Sequence, residues 1–260
     1  MADQWTLWVE QSPRPGWANM AIDRALLDRA EALGEHWLRL YSWNPCCLSF
    51  GRHEPAARRY DSNRIAALGL DTVRRPTGGR AVWHSAELTY AVAAPSRSFG
   101  SLPSAYLEIH RMLLEALQQA GLRVSLAAPA AVPALDAGPC FARPVGGEIL
   151  CQGRKLVGSA QLRRGGAFLQ HGSILLRDEQ QVVAACVRGG RKVSIPERLS
   201  QKEPYQADGL PAAGLTEAIA AASRRRWTGS WRDLGDADEV LRSASGYTAR
   251  FRSAAWTWER

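Results

Sequence analysis

The run from Gly147 to Leu176, GEILCQGRKLVGSAQLRRGGAFLQHGSILL, constrains the fold more than any other part of the chain. Its apolar residues recur with the short, broken rhythm of strands, so it predicts extended segments at 147–152, 155–162 and 168–176. The first two are joined by the turn Gln152-Gly153-Arg154. A thiol at Cys140, an ammonium at Lys155 and an imidazole at His171 lie in or just ahead of this run, among glycines that let a ligand approach the backbone. A thiolate beside a cation is an established way of making a nucleophile, and a hairpin can bring Cys140 and Lys155 together. From spacing alone Lys155 equally fits a surface lysine at a turn.

The rest of the chain supplies helices to cover such strands. A helix is predicted over 19–32, with Asn19 at its start, and a second over 103–120, with Ser104 near its start and Gly121 at its stop. The second buries Tyr106, Ile109, Met112, Leu113, Ala116 and Leu117 and leaves His110 on a flank. Further strands are predicted at 5–9, 37–41, 47–50, 81–83, 88–92 and 123–126, with a short helix at 62–68. The stretch 70–92 resembles a hairpin around the Pro-Thr-Gly-Gly turn, entered by Arg74 and Arg75. Arginine donors beside glycine backbone suit a phosphate, carboxylate or thioester carbonyl. The Ala/Pro-rich stretch 127–139 reads as a flexible loop leading to Cys140. Helices follow at 182–187, 215–227 and 236–243. With 260 residues, no internal repeat and no low-complexity linker, one α+β domain is expected, with a mixed β-sheet core flanked by helices.

Composition narrows the setting. Five cysteines, without a CxxC pair or zinc-like spacing, favour free thiols and a reducing cytoplasm over disulfides or a structural metal. Cys46 and Cys47 are neighbours on a strand and point to opposite faces, so they are read as packing residues. Cys186 is read likewise, and Cys151 is the competitor to Cys140. No apolar run is long enough to cross a bilayer, and the N-terminus lacks the pattern of a secretory signal. The net charge of +8, from 33 basic against 25 acidic residues, favours acidic partners. The run Arg224-Arg225-Arg226-Trp227 has no nucleic-acid motif around it and reads as a solvated helix face.

Three segments carry a resemblance: RRPTGGRAVWHSAELTYAV at 74–92, CFARPVGGEI at 140–149 and GRKLVGSAQLRRGGAFLQHGSILL at 153–176. Together with NMAIDRALL and LRLYSWNP, they resemble the lipoate/biotin protein ligase family of catalytic domains. Within it they are most similar to the octanoyltransferases that move octanoyl from acyl carrier protein to a lysine of a lipoyl domain or of glycine cleavage H protein. The resemblance implies that Cys140 forms an acyl thioester and that Lys155 lowers the pKa of its thiol. It also implies substrate-binding roles for Arg74, Arg75, Thr77, Gly78, Gly79, His84, Gly158, Ser159, Ala160, His171 and Gly172, with no metal or cofactor. Arg80 stands where ATP-dependent lipoate ligases have a third glycine, which favours a transferase. Ser85 stands where relatives often carry Asp, and ARPVGGEI lacks the aromatic filling common after the Cys-Phe pair.

The resulting expectation is a lipoate/biotin protein ligase-like domain over 1–190, and a mainly helical extension over 191–260 packed on it. The protein is expected to be a cytoplasmic monomer that binds neither nucleic acid nor membrane. An ATP-dependent lipoate ligase, a lipoyl-domain amidotransferase and a non-catalytic carrier-binding relative are the alternatives.

Overall fold

The computed structural model describes residues 3–128, 141, 146–189 and 212–259. Its elements run β1 (Gln4–Val9), α1 (Gly16–Leu33), β2 (His36–Tyr41), β3 (Cys47–Phe50), α2 (Ala56–Arg59), α3 (Ser62–Ala67), β4 (Asp71–Arg74), β5 (Val82–His84) and β6 (Glu87–Pro95). They continue with α4 (Leu102–Gln119), β7 (Val124–Leu126), β8 (Ile149–Cys151), β9 (Arg154–Lys155), β10 (Val157–Arg164) and β11 (Ala167–Leu175). The chain closes with α5 (Gln181–Ala185), α6 (Ala212–Arg226), β12 (Ser230–Asp233), α7 (Asp238–Arg252) and α8 (Ala254–Trp258).

Six of these strands form the main sheet in the order β10-β11-β6-β2-β1-β12. The sheet is mixed, as expected: β2 and β12 run parallel to β1, whereas β2–β6, β6–β11 and β11–β10 are antiparallel. Strand alternation sends Trp5, Leu38, Tyr90 and Phe168 to one face, where they meet Ile109, Leu113 and Leu117 of α4 and Ile219 of α6. Trp37, Ala91, Ala93 and Leu169 point to the other face, against Met20, Leu26 and Leu27 of α1 and Val240 and Phe251 of α7. Helix α4 starts one residue earlier than the sequence predicts, at Leu102, and Ser101 caps it by accepting the amide of Ser104 at 3.2 Å. It buries His110 as fully as Ile109, so the histidine is not on a flank.

Helix α1 also starts earlier than expected, at Gly16 behind Pro15. Asn19 does not cap it; its amide donates to the carbonyls of Arg14 and Ser42, fastening the helix to the chain after β2. The stretch 70–92 is not a hairpin either. Strand β3 lies between β4 and β5, parallel to the first and antiparallel to the second, so the Pro-Thr-Gly-Gly turn crosses the end of β3. The turn at Gln152 (φ 50°) and Gly153 (φ 75°) closes hairpin β8–β9 as predicted, but the expected second arm, 155–162, is divided: Arg154–Lys155 pairs with β8, whereas Val157–Arg164 joins the main sheet beside β11.

The C-terminal residues contribute more than helices. Strand β12 extends the main sheet beside β1, and Trp5 packs against Trp227 and Trp231 with ring centroids 4.6 and 5.4 Å apart. Arg224, Arg225 and Arg226 pair with Asp233, Glu115 and Glu108, so the basic run is neutralised within the molecule. No described helix is long and apolar enough to cross a membrane.

Candidate active site

The Pro-Thr-Gly-Gly turn is held by arginine from within. The Arg75 guanidinium donates to the Ser49 carbonyl at 3.1 Å, to Ser49 Oγ at 2.5 Å and to the Gly78 and Arg80 carbonyls at 3.2 and 2.8 Å. Arg74, fully buried, points elsewhere: it donates to the carbonyls of Gly51, Glu54 and Thr257, and Trp256 Nε1 donates back to its carbonyl at 3.0 Å. Arg74 therefore fastens α8 beneath the turn and lies outside the cavity described below.

Two carboxylate-histidine pairs stand behind the turn. A carboxylate can only accept, so His171 donates Nδ1–H to Asp23 Oδ2 at 2.7 Å, and in the neutral ring Nε2 accepts the Thr77 hydroxyl at 2.6 Å. Asp23 also accepts from Arg39 Nη1 at 2.7 Å and from the Tyr41 hydroxyl at 2.9 Å. Burial pushes the Asp23 carboxyl up, but the His171 hydrogen bond and the Arg39 charge outweigh it and hold the acid below its ordinary value. In the second pair His84 donates Nδ1–H to Glu87 at 2.7 Å and accepts from Ser49 Oγ at 2.6 Å. Burial lowers the pKa of His84 despite Glu87, which keeps the ring neutral. Trp43 stacks on that ring, with centroids 3.9 Å apart.

The third group comes from the hairpin and α4. Lys155 Nζ donates to Glu148 Oε1 at 2.6 Å, with both side chains 2% exposed. The Phe141 ring lies 5.1 Å from the ammonium. It also rests on Gly158, where a Cβ would stand 2.7 Å from Phe141 Cζ; only glycine leaves room for that contact. His110 donates Nδ1–H to the Gly147 carbonyl at 2.6 Å, so Nε2 accepts from Ser159 Oγ at 2.8 Å. Ser159 in turn meets the Tyr90 hydroxyl at 2.6 Å. Burial, reinforced by the Lys155 charge, lowers the His110 pKa to about 4 and keeps it neutral.

The glycine turn, the two histidines and the first residues of β10 line a narrow cavity that is partly open to solvent. Arg75, Gly79, His84, Gly158, Ser159, Ala160, His171 and Gly172, all singled out from sequence, line it together with Met20, Tyr41, Trp43 and Val82. Thr77 stands one hydrogen bond behind the wall through His171, and Gly78 contributes its carbonyl to Arg75. Lys155 stands behind Gly158, its Cε 3.3 Å from where a Cβ there would lie. Cys140 lies outside the described residues, one position before Phe141.

Most polar heads on the wall are committed to protein partners, so the surface offered to a ligand is chiefly ring faces, methyls and backbone. That suits an uncharged chain more than a charged one. Ser85 keeps a polar contact, donating to Glu179 at 2.9 Å. Burial raises the thiols of Cys46 and Cys186 to about 11 and that of Cys47 well above its ordinary value, and none of the four described cysteines lines the cavity. Among the described residues no group of three His, Cys, Asp or Glu side chains is arranged to hold a metal ion. Sequence reasoning missed Asp23, His110 and Glu148 as members of this region. Asp23 lies within NMAIDRALL, and its only local signal is an acid on the buried side of a helix.

Residues 15–208 match the model of the lipoyl protein ligase A/B catalytic domain. The chain belongs to this family. Similar curated proteins include octanoyltransferase LipM of Moorella thermoacetica, 36% identical over 80% of this chain and 78% of that protein. LipM of Exiguobacterium sp. strain AT1b is 32% identical over 98% of both chains. LipM of Kyrpidia tusciae is 39% identical, with the chain spanning 65% of its length. Among solved structures, lipoate-protein ligase A bound with ATP superposes with a TM-score of 0.73 at 18% identity, covering 99% of each chain. The bi-partite lipoate protein ligase of Thermoplasma acidophilum gives 0.71 at 17%, covering 99% of this chain and 96% of that one. At these identities the likeness is one of fold, and it confirms the α+β architecture expected from sequence.

Proposed function

We propose that this chain transfers an octanoyl group from octanoyl-acyl carrier protein to a lysine of a lipoyl-bearing acceptor, a lipoyl domain or glycine cleavage H protein, through a thioester on Cys140. Its curated relatives are named octanoyltransferases, one of them similar over nearly the whole chain, which supports octanoyl transfer here. In the first half-reaction the Cys140 thiolate attacks the octanoyl carbonyl, the bond to the carrier sulfur breaks, and the released carrier thiolate takes up a proton. In the second, the acceptor amine attacks the Cys140 thioester. The C–N bond forms, the C–S bond breaks, and the thiol is restored with a proton from the amine. Lys155 is the cation beside the sulfur at both stages, and the turn carrying Gly78 and Gly79, with Arg75, Thr77, His84, Gly158, Ser159, Ala160, His171 and Gly172, shapes the acyl site. Arg74 holds the base of that turn.

One observation carries the reading. Phe141, the residue after Cys140, packs between the Lys155 ammonium and Gly158 on the cavity wall, which supports a nucleophile at the cavity mouth. The committed polar groups on the wall support an apolar acyl chain as its occupant. The four described cysteines are unpaired, which supports a cytoplasmic setting, and the net charge of +8 supports encounter with an acidic carrier that weakens with salt. The test is a transfer assay with octanoyl-acyl carrier protein and a lipoyl-domain acceptor, without ATP, beside one with free octanoate and ATP. Amide product in the first reaction alone is expected. Product only in the second would replace the transferase by a ligase.

A further inference from the structure

Much of the basic charge is neutralised within the molecule. The arginines of α6 meet Asp233, Glu115 and Glu108, while Arg154 and Arg164 meet Asp178 and Asp28. Residues 51–64 differ: they hold four arginines, Arg52, Arg58, Arg59 and Arg64, against two carboxylates. Both carboxylates are engaged locally. Glu54 is buried, accepts the Tyr60 hydroxyl at 2.6 Å and lies 3.6 Å from Arg59, and Asp61 caps α3 through the Arg64 amide. Arg188 joins the group from beyond α5: its amide donates to the Arg59 carbonyl at 2.9 Å and its guanidinium to the Ala57 carbonyl at 3.1 Å. Among the described residues no carboxylate lies within ion-pair distance of Arg52, Arg58, Arg64 or Arg188. Arg58 and Arg188 are exposed, and Arg52 and Arg64 are half-buried.

This basic surface begins at the lip of the cavity. The Arg52 amide donates to the Thr77 carbonyl at 2.8 Å, and Gly51 meets the glycine turn so closely that a Cβ there would stand 1.8 Å from the Gly79 oxygen. Gly79 is itself exposed and lines the cavity. From that lip the arginines continue over α2 and α3. We propose that they form the docking surface for the acidic protein that delivers the acyl thioester, the octanoyl carrier of the reaction above. Charge complementarity selects an acidic partner, and the offset of α2 and α3 from the turn selects the donor. An acyl group on the long flexible arm of a carrier can pass over the Gly79 lip while the carrier rests on the arginines. The acceptor offers only a lysine side chain, so its domain has to sit on the mouth itself. The inference rests on the octanoyl-transfer reading of the site.

The double variant Arg58→Glu/Arg188→Glu tests this. Acylation is followed by intact mass with two donors, octanoyl-acyl carrier protein and octanoyl-pantetheine, which brings the thioester without the protein. The ratio of the two kcat/KM values is expected to fall about tenfold or more in the variant, chiefly through KM for the carrier, and its salt dependence to flatten. Transfer from the isolated acyl-enzyme to a lipoyl domain is expected to stay within about twofold of wild type. Arg224→Glu/Arg242→Glu makes the same change in net charge on α6 and α7 and is expected to keep the wild-type ratio. A ratio unmoved by Arg58→Glu/Arg188→Glu, or one that falls as far in the α6 and α7 variant, overturns the docking surface. Slower transfer to the lipoyl domain with acylation by the carrier intact also overturns it, by giving the surface to the acceptor. Absence of an adduct from either donor in wild type overturns the parent reading and this inference with it.

Discussion

Replacing Asp23 by asparagine tests whether the wall of the site is held from behind. Asp23 is fully buried and accepts from three donors: Arg39 Nη1 at 2.7 Å, the Tyr41 hydroxyl at 2.9 Å and His171 Nδ1 at 2.7 Å. An asparagine must turn its NH2 toward at least one of these donors. Breaking a buried ion pair from one side costs about 3–5 kcal/mol, and because Arg39 keeps Glu10 the lower end applies, about 3 kcal/mol. For a chain of this size that lowers the melting temperature by about 6–12 °C at neutral pH. The one local relief is a tautomer switch in His171, which reverses the hydrogen bond to Thr77 and loosens the Pro-Thr-Gly-Gly turn, so transfer should slow as well. The pH dependence has a fixed sign. The Asp23 pKa is lowered on folding, so its contribution is complete above the ordinary 3.8 and is lost as pH falls below it. Melting curves of wild type and Asp23→Asn should therefore be widest apart at neutral pH and converge in acid. A neutral-pH difference under about 2 °C, less than 1 kcal/mol on the same scale, or one that stays constant to the acid limit of folding, would refute the reasoning.

Three further outcomes follow from other contacts. His110 has its pKa lowered from 6.5 to about 4, so protonation of the unfolded chain should remove up to about 3 kcal/mol of stability as pH falls through that window; urea titrations should find this loss reduced in His110→Gln. Gly158→Ala would place a Cβ 2.7 Å from Phe141 Cζ, so acylation by octanoyl-acyl carrier protein should drop about tenfold or more while circular dichroism stays native. Trp256→Phe removes the donor to the Arg74 carbonyl and should cost about 1 kcal/mol, read as a melting temperature about 2–4 °C lower, without changing the acyl chain accepted.

What the sequence made legible was local. Helices α1 and α4 carry their buried residues at helical spacing, and the Gln152-Gly153 turn announces the hairpin that presents Lys155, so these could be read directly. Strand β12, whose side chains are half or fully exposed, has a single tryptophan and no alternation, and its place beside β1 is set by contacts across more than two hundred positions. The insertion of β3 between β4 and β5 is likewise a matter of topology, which a glycine turn does not reveal. The cavity residues were found through motifs, but the partners that orient them were not. Asp23 meets His171 across 148 positions, and His110 meets Ser159 across 49; each is locally only a polar residue on a helix. Arg74 and Arg75 are adjacent and look equivalent in sequence, yet one clamps α8 and the other the glycine turn, because successive side chains leave a strand on opposite faces.

The central claim is that an octanoyl thioester forms on Cys140. The direct measurement is to mix the protein with octanoyl-acyl carrier protein in the absence of ATP, trap the reaction in acid, and locate any adduct by intact mass and peptide mapping in wild type and in Cys140→Ser. The account predicts one octanoyl group on the peptide containing Cys140, released by hydroxylamine and absent from the variant. An adduct that persists in Cys140→Ser or maps to Cys151, or transfer to the acceptor at the wild-type rate by the variant, would contradict it.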